Sequence, residues 1–150
     1  MQPCEPSPDS KTVEIALAPD LSALAALAGI IEEFGAAHAL SGTVQSHLNL
    51  MLDELITNSI TYGLPTISDP ELRLRLLVDE GAVVAQLEDN GIAFNPFEEA
   101  PEPDPTLGLE ERPIGGLGVF LVKQFADSTA YERVEGRNRI TLRHLIGGES

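Results

Sequence analysis

The chain has 150 residues, 43% of them hydrophobic, which is the size of one ordinary domain with a core burying about two-thirds of its unfolded surface, and it excludes wholesale disorder. Its formal net charge of −15 repels phosphate backbones and argues against nucleic acid as a partner. A single cysteine, Cys4, closes no internal disulfide, and neither a bilayer-spanning apolar run nor a signal-peptide pattern is present, so a cytoplasmic protein without membrane contact is expected.

Residues 1–10 hold three prolines and few apolar side chains, which predicts a loose tail ahead of one domain over 11–150. Lys11 to Ala18 alternates, with Val13, Ile15 and Leu17 on one side, and reads as a first strand. Asp20 or Ser22 can cap the Ala- and Leu-rich helix that follows to about Ala39. Ser41 can cap a second helix, which runs to about Gly63, where Pro65 forbids continuation. Its residues Leu48, Met51, Leu52, Leu55, Ile56 and Ile60 recur at spacings of three and four, giving a core-facing stripe.

Glu71 to Asp79 alternates leucines with Arg73 and Arg75, and Ala82 to Glu88 returns after a Glu80-Gly81 turn, so a hairpin is predicted. Asn95 to Arg112 contains four prolines and six acids, which excludes regular structure and predicts a lid at about 95–114. Gly115 to Ala126 returns to helical spacing, and Ser128 to Glu132 and Arg139 to Leu145 close the chain as two strands around a Glu135-Gly136 turn. The order β-α-α-β-β-lid-α-β-β predicts an α+β two-layer sandwich, with a mixed, mostly antiparallel sheet and helices on one face.

Three stretches carry candidate chemistry. On the second helix, Glu54 and Asn58 lie four residues apart and share a face, where a carboxylate and a carboxamide can serve a nucleophile and a hard cation; solvated helix residues fit the same spacing. In Asp89-Asn90-Gly91-Ile92-Ala93-Phe94, a strand-end carboxylate precedes a glycine that lets backbone approach a flat ligand. Asp89 suits an exocyclic amine and Phe94 suits packing on a base, while a plain Asp-Asn-Gly turn is the competing reading. In Gly115-Gly116-Leu117-Gly118-Val119, glycines before a helix start expose N–H groups to phosphate, or simply end the lid. Walker, dinucleotide and H-R-D kinase patterns are absent, which excludes P-loop enzymes and ordinary protein kinases.

Taken in order, E-x-x-x-N, D-x-G-x-x-F and G-G-x-G resemble the ATP-binding (Bergerat) fold shared by gyrases, histidine kinases and MutL. Within it, the chain resembles the stand-alone anti-sigma-factor serine/threonine kinases over roughly Thr12 to Leu145. The resemblance implies that Glu54 is the general base for a substrate serine and that Asn58 coordinates Mg²⁺ on the ATP phosphates. It implies further that Asp89 reads the adenine amine, with Gly91 giving close approach. Thr61, Tyr62 and Phe94 would border the nucleotide, Tyr62 standing where many of these kinases carry His. Gly115, Gly116, Leu117, Gly118 and Val119 would hold phosphate, with Arg112 the nearest lid cation or a solvated loop arginine. Thr141 matches the position of a hydroxyl that helps bind adenine; an ordinary strand threonine fits equally. The implied partners are a STAS-type anti-anti-sigma protein, a sigma factor and a second copy of the chain. The alternative is an ATP-gated protein-binding switch of the same fold without kinase activity. His38, His47 and His144 read as structural or surface residues.

Overall fold

The structure, a computed structural model, describes residues 12–99 and 122–146. Its elements are β1 (Val13–Leu17), α1 (Ser22–His38), α2 (Gly42–Asn58), a π-helical turn (Ser59–Gly63), β2 (Leu72–Asp79), β3 (Ala82–Asp89), a one-turn α3 (Pro96–Glu99), β4 (Ser128–Val134) and β5 (Arg137–Leu145). A further helical turn lies at 122–125. The five strands form one sheet in the order β1-β2-β3-β5-β4. Every neighbouring pair is antiparallel, so no parallel component of the expected mixed sheet occurs among the described residues.

The register explains the core. Leu74 faces Leu87, which faces Ile140, and Leu76 faces Ala85, which faces Leu142. These residues share one face of the sheet and are buried with Leu27, Ile31 and Phe34 of α1 and Leu48, Met51, Leu52, Leu55 and Ile56 of α2. The other face carries Arg73, Arg75, Gln86, Glu88, Arg139 and Thr141, because successive strand residues alternate sides. Both hairpins use a Glu-Gly pair with positive φ at each residue (53° and 77° at 80–81, 53° and 78° at 135–136), the geometry whose twist matches two-residue hairpins.

Three helical segments depart from the sequence pattern, the first being α1, whose N-cap is Leu21 without a side-chain cap, while Asp20 Oδ1 accepts from Ser22 N–H at 2.9 Å. The α-helix predicted to reach Gly63 stops at Asn58, and the next five residues widen into the π turn, in which Leu64 N–H donates to the Ser59 carbonyl at 2.9 Å. The apolar spacing through Ile60 does not distinguish these two backbones. Residues 96–99, expected to be irregular, form a helical turn. Proline suits the first helical position, and the Asn95 side-chain oxygen accepts from Phe97 N–H at 2.9 Å as a cap. Ser41 caps α2 as expected, its hydroxyl accepting from Val44 N–H at 3.1 Å. The tail and residues 100–121 of the expected lid and glycine stretch lie outside the described residues.

Candidate functional site

Asp89 ends β3 in the same alternation as the buried Val83, Ala85 and Leu87, so the sheet carries its carboxylate inward, where it is 3% exposed. A buried carboxylate needs donors. Oδ1 accepts from Gly91 N–H at 2.8 Å and Asn138 Nδ2 at 2.9 Å, and Oδ2 accepts from the Ser59 hydroxyl at 2.8 Å. Ser59 opens the π turn directly after Asn58, so the end of α2 and the Asp89 loop meet.

Gly91 is required by this meeting. A Cβ there would stand 2.2 Å from the Gly63 carbonyl oxygen, and Ile92 N–H donates to that oxygen at 2.9 Å. On the same two segments Tyr62 and Phe94 stack, with centroids 4.9 Å apart and planes 21° from parallel. Thr61, in the same π turn, is exposed.

One turn before the π segment, Glu54 is half-buried and Asn58 is buried. Neither Glu54 Oε2 nor Asn58 Nδ2 has a hydrogen-bond partner among the described residues, although both atoms are shielded from solvent. Burial pushes the Glu54 carboxyl up to about 7; neighbouring Asp53 adds to the shift, and Asn58 opposes it. A carboxylate with this affinity is poised to take a proton near neutral pH. The Asn58 side chain is near enough to act on Glu54 as a donor, so these buried atoms are satisfied by one another or by a group that enters beside them.

Thr141 does not join the site. It lies out of phase with Asn138, Ile140 and Leu142, on the opposite face of the sheet from Asp89, where its hydroxyl accepts from Gln86 Nε2 at 3.2 Å. The residue of β5 opposite Asp89 is Asn138. It is 2% exposed, and its Oδ1 accepts from Phe94 N–H, the Tyr131 hydroxyl and Arg133 at 3.2, 2.5 and 3.1 Å. Sequence reasoning missed Asn138 and Ser59. A signal for the first existed: Asn138 is a polar residue in phase with the apolar Ile140 and Leu142. Ser59 carried none, since its bond depends on the π turn. Arg112, Gly115, Gly116, Leu117, Gly118 and Val119 lie outside the described residues.

His47 and His144 are not isolated. His47 Nδ1 stands 2.9 Å from His144 Nε2, joining α2 to β5, and the His47 ring stacks on Phe125 with centroids 4.2 Å apart.

An antiparallel sheet covered by helices on one face is the architecture this chain shares with solved histidine kinase structures. The sequence profile of the histidine kinase-like ATPase domain matches residues 17–144, and the chain belongs to that family. It is similar to the serine/threonine-protein kinase BtrW of Bordetella bronchiseptica, 27% identical over 110 residues, covering 73% of this chain and 77% of that one. It is also similar to the serine-protein kinase RsbW of Listeria monocytogenes, 26% identical over 142 residues, covering 91% and 88%. Among solved structures, the blue-light activated histidine kinase of Erythrobacter litoralis EL346 shares the fold at TM-score 0.60 and 16% identity, over 85% of this chain and 42% of that one. Its histidine kinase domain gives TM-score 0.54 at 15% identity, over 84% and 60%. The chain therefore spans about half the length of these solved structures. No helix among the described residues is long and apolar enough to cross a membrane.

Proposed function

We propose that this chain is an ATP-dependent serine/threonine kinase that phosphorylates a STAS-type anti-anti-sigma protein and otherwise binds a sigma factor in the cytoplasm. The observation that carries the reading is Glu54, a half-buried carboxyl raised to about 7 with an unpaired oxygen, one turn before the buried Asn58. The kinship with proteins named serine kinases supports it.

In this reading Asp89 accepts from the adenine amine, and Gly91 lets the backbone lie close to the base. Tyr62, Phe94 and Thr61 border the nucleotide. Gly115, Gly116, Leu117, Gly118 and Val119 hold phosphate through N–H groups, with Arg112 beside them. Asn58 would hold Mg²⁺ through its carboxamide oxygen, a hard ligand of the kind that ion takes, leaving its Nδ2, a donor, for an anionic oxygen beside it. When bound, Mg²⁺ supplies charge neutralisation at the phosphates. A serine hydroxyl oxygen of the partner attacks the γ-phosphorus, the bond to the bridging oxygen breaks, and ADP leaves. Glu54 takes the hydroxyl proton. Positioning and neutralisation supply most of such a reaction, so few catalytic groups suffice.

The test is phosphoryl transfer from radiolabelled ATP to the cognate STAS protein. Wild type transfers, and Glu54→Gln loses about 10²–10⁴-fold in rate, the range of a lost general base. Equal transfer by Glu54→Gln removes the base assignment. Partner capture that requires ATP, with no phosphoprotein formed, would replace the kinase by an ATP-gated binding switch. Size measurements with and without ATP test whether a second copy joins.

A further inference from the structure

We propose that Asn138 is a positioning residue that selects the base: by occupying acceptor sites on Asp89, it leaves room for one N–H of an adenine amine and not for the paired N–H edge of guanine. The inference rests on the nucleotide reading above and goes beyond it by assigning base choice to a side chain outside the three motifs.

The argument is a count of lone pairs. An ionised carboxylate offers about four acceptor sites. Gly91 N–H and Asn138 Nδ2 take both sites of Oδ1, and the Ser59 hydroxyl takes one of Oδ2. One acceptor remains, on Oδ2. Adenine presents a single N–H from its exocyclic amine to such a group. Guanine presents two parallel N–H donors, which require both oxygens of a carboxylate together, as bidentate pairs do. With Oδ1 saturated, the second guanine donor would be buried without a partner, which costs more than the missing bond itself.

Asn138 cannot turn its donor away. Its Oδ1 receives Phe94 N–H, the Tyr131 hydroxyl and Arg133, while Nδ2 donates to Asp89 and to the Ile92 carbonyl, the latter at 2.7 Å. Flipping the amide would set Nδ2 against Phe94 N–H and Arg133, which can only donate, and Oδ1 against a carboxylate and a carbonyl. This network fixes the orientation of the amide. Arg133 is itself held by the Gly91 carbonyl at 2.8 Å, so β4, β5 and the Asp89 loop define the acceptor geometry as one unit.

The experiment measures Mg·ATP and Mg·GTP binding to the full chain by calorimetry, with folding checked by circular dichroism. Wild type prefers ATP by about a hundredfold or more. Asn138→Leu removes the donor at similar volume; ATP binds roughly tenfold weaker and the ATP-to-GTP ratio narrows by about tenfold. A purely structural role would weaken both nucleotides alike and leave the ratio unchanged, which overturns the proposal. Should Asn138→Leu fail to fold, Asn138→Asp decides. Its carboxylate faces Asp89, and a proton shared by the pair restores a donor, so its ATP affinity relative to wild type rises as pH falls. A flat relative affinity overturns the proposal. Tyr131→Phe, which releases one of the three donors on Oδ1, narrows the ratio in the same direction to a smaller extent. Wild type that binds neither nucleotide overturns the nucleotide reading and this inference with it; wild type that binds ATP while Asn138→Leu keeps its ratio overturns this inference alone.

Discussion

Glu54 sets burial against charge. Its carboxyl is raised from 4.5 to about 7 chiefly by burial and then by Asp53, so the folded state binds a proton that the unfolded chain releases. Below about pH 4.5 both states are protonated and the group costs nothing. As pH rises through that window to 7 and above, charging the half-buried oxygen destabilises the fold, by on the order of 1 kcal/mol once its partial exposure is discounted. Glu54→Gln removes this cost. It should raise the melting temperature by about 2–4 °C near pH 8 and leave it unchanged near pH 4.5; an equal shift at both pH values would show that charge is not the cause. The variant trades activity for stability, as functional sites commonly do. That Glu54 and Asn58 share a stretch of helix and that Asp89 and Gly91 share a loop was legible, because short-range spacing sets both. Which of the two readings of Thr141 holds was not legible, because a strand residue one step out of phase faces the other side, and the phase is set by pairing with β3 rather than by local sequence. The phase of Asn138 with Ile140 and Leu142 marks it as facing inward, but its partner is not legible, since Asp89 is 49 positions away.

Elements were legible where one local rule decides them. Alternation gave β2 and β3, Glu-Gly gave both hairpin turns, and Ser41 gave the start of α2. The π turn was not legible, because its apolar residues fit an α-helix as well; what selects it is the tertiary grip of Asp89 on Ser59 and of Ile92 on Gly63. The contact between α2 and β5 through His47 and His144 is likewise tertiary. The Leu145 carbonyl lies 2.6 Å from His144 Nδ1 and assigns that nitrogen its proton, so Nε2 is the acceptor and His47 Nδ1 the donor. Burial, and then the charge of His144, lowers the His47 pKa. The groups packed around the pair are Phe125 and, on the Leu145 N–H, the Asp127 carboxylate. A depressed histidine contributes stability that is present above about 6.5 and lost as pH falls toward its folded value. Glu54 acts in the opposite direction over the same range and is common to both proteins, so the melting temperature of wild type relative to His144→Gln should drop between about pH 7 and pH 5. An unchanged acid slope would remove the pair as its cause.

At the scale of the molecule, two sets of charges compete. The chain carries 24 acids against 9 lysines and arginines. The ion pairs Arg137–Glu71, Arg139–Glu88, Arg139–Glu132 and Arg143–Asp79 gather on or beside the outer face of the sheet, with side chains 21–62% exposed. Exposed pairs of this kind are worth about 0–1 kcal/mol each, and salt weakens them. Salt also screens the repulsion among the unpaired acids, which acts over the whole surface once the Debye length falls from about 30 Å at 0.01 M to about 10 Å at 0.1 M. The excess of acids over cations is larger than the number of attractive pairs among the described residues, so screening of repulsion should win. The melting temperature should rise by about 2–4 °C between roughly 0.01 M and 0.3 M sodium chloride, equivalent to about 1 kcal/mol in a chain of this length. Arg139→Gln removes a cation that touches both Glu88 and Glu132, so its stability deficit should be largest at low salt and shrink as salt is added. A wild-type melting temperature that falls with salt would mean that the sheet-face pairs outweigh the acidic surface, and that the net charge is locally neutralised in the fold.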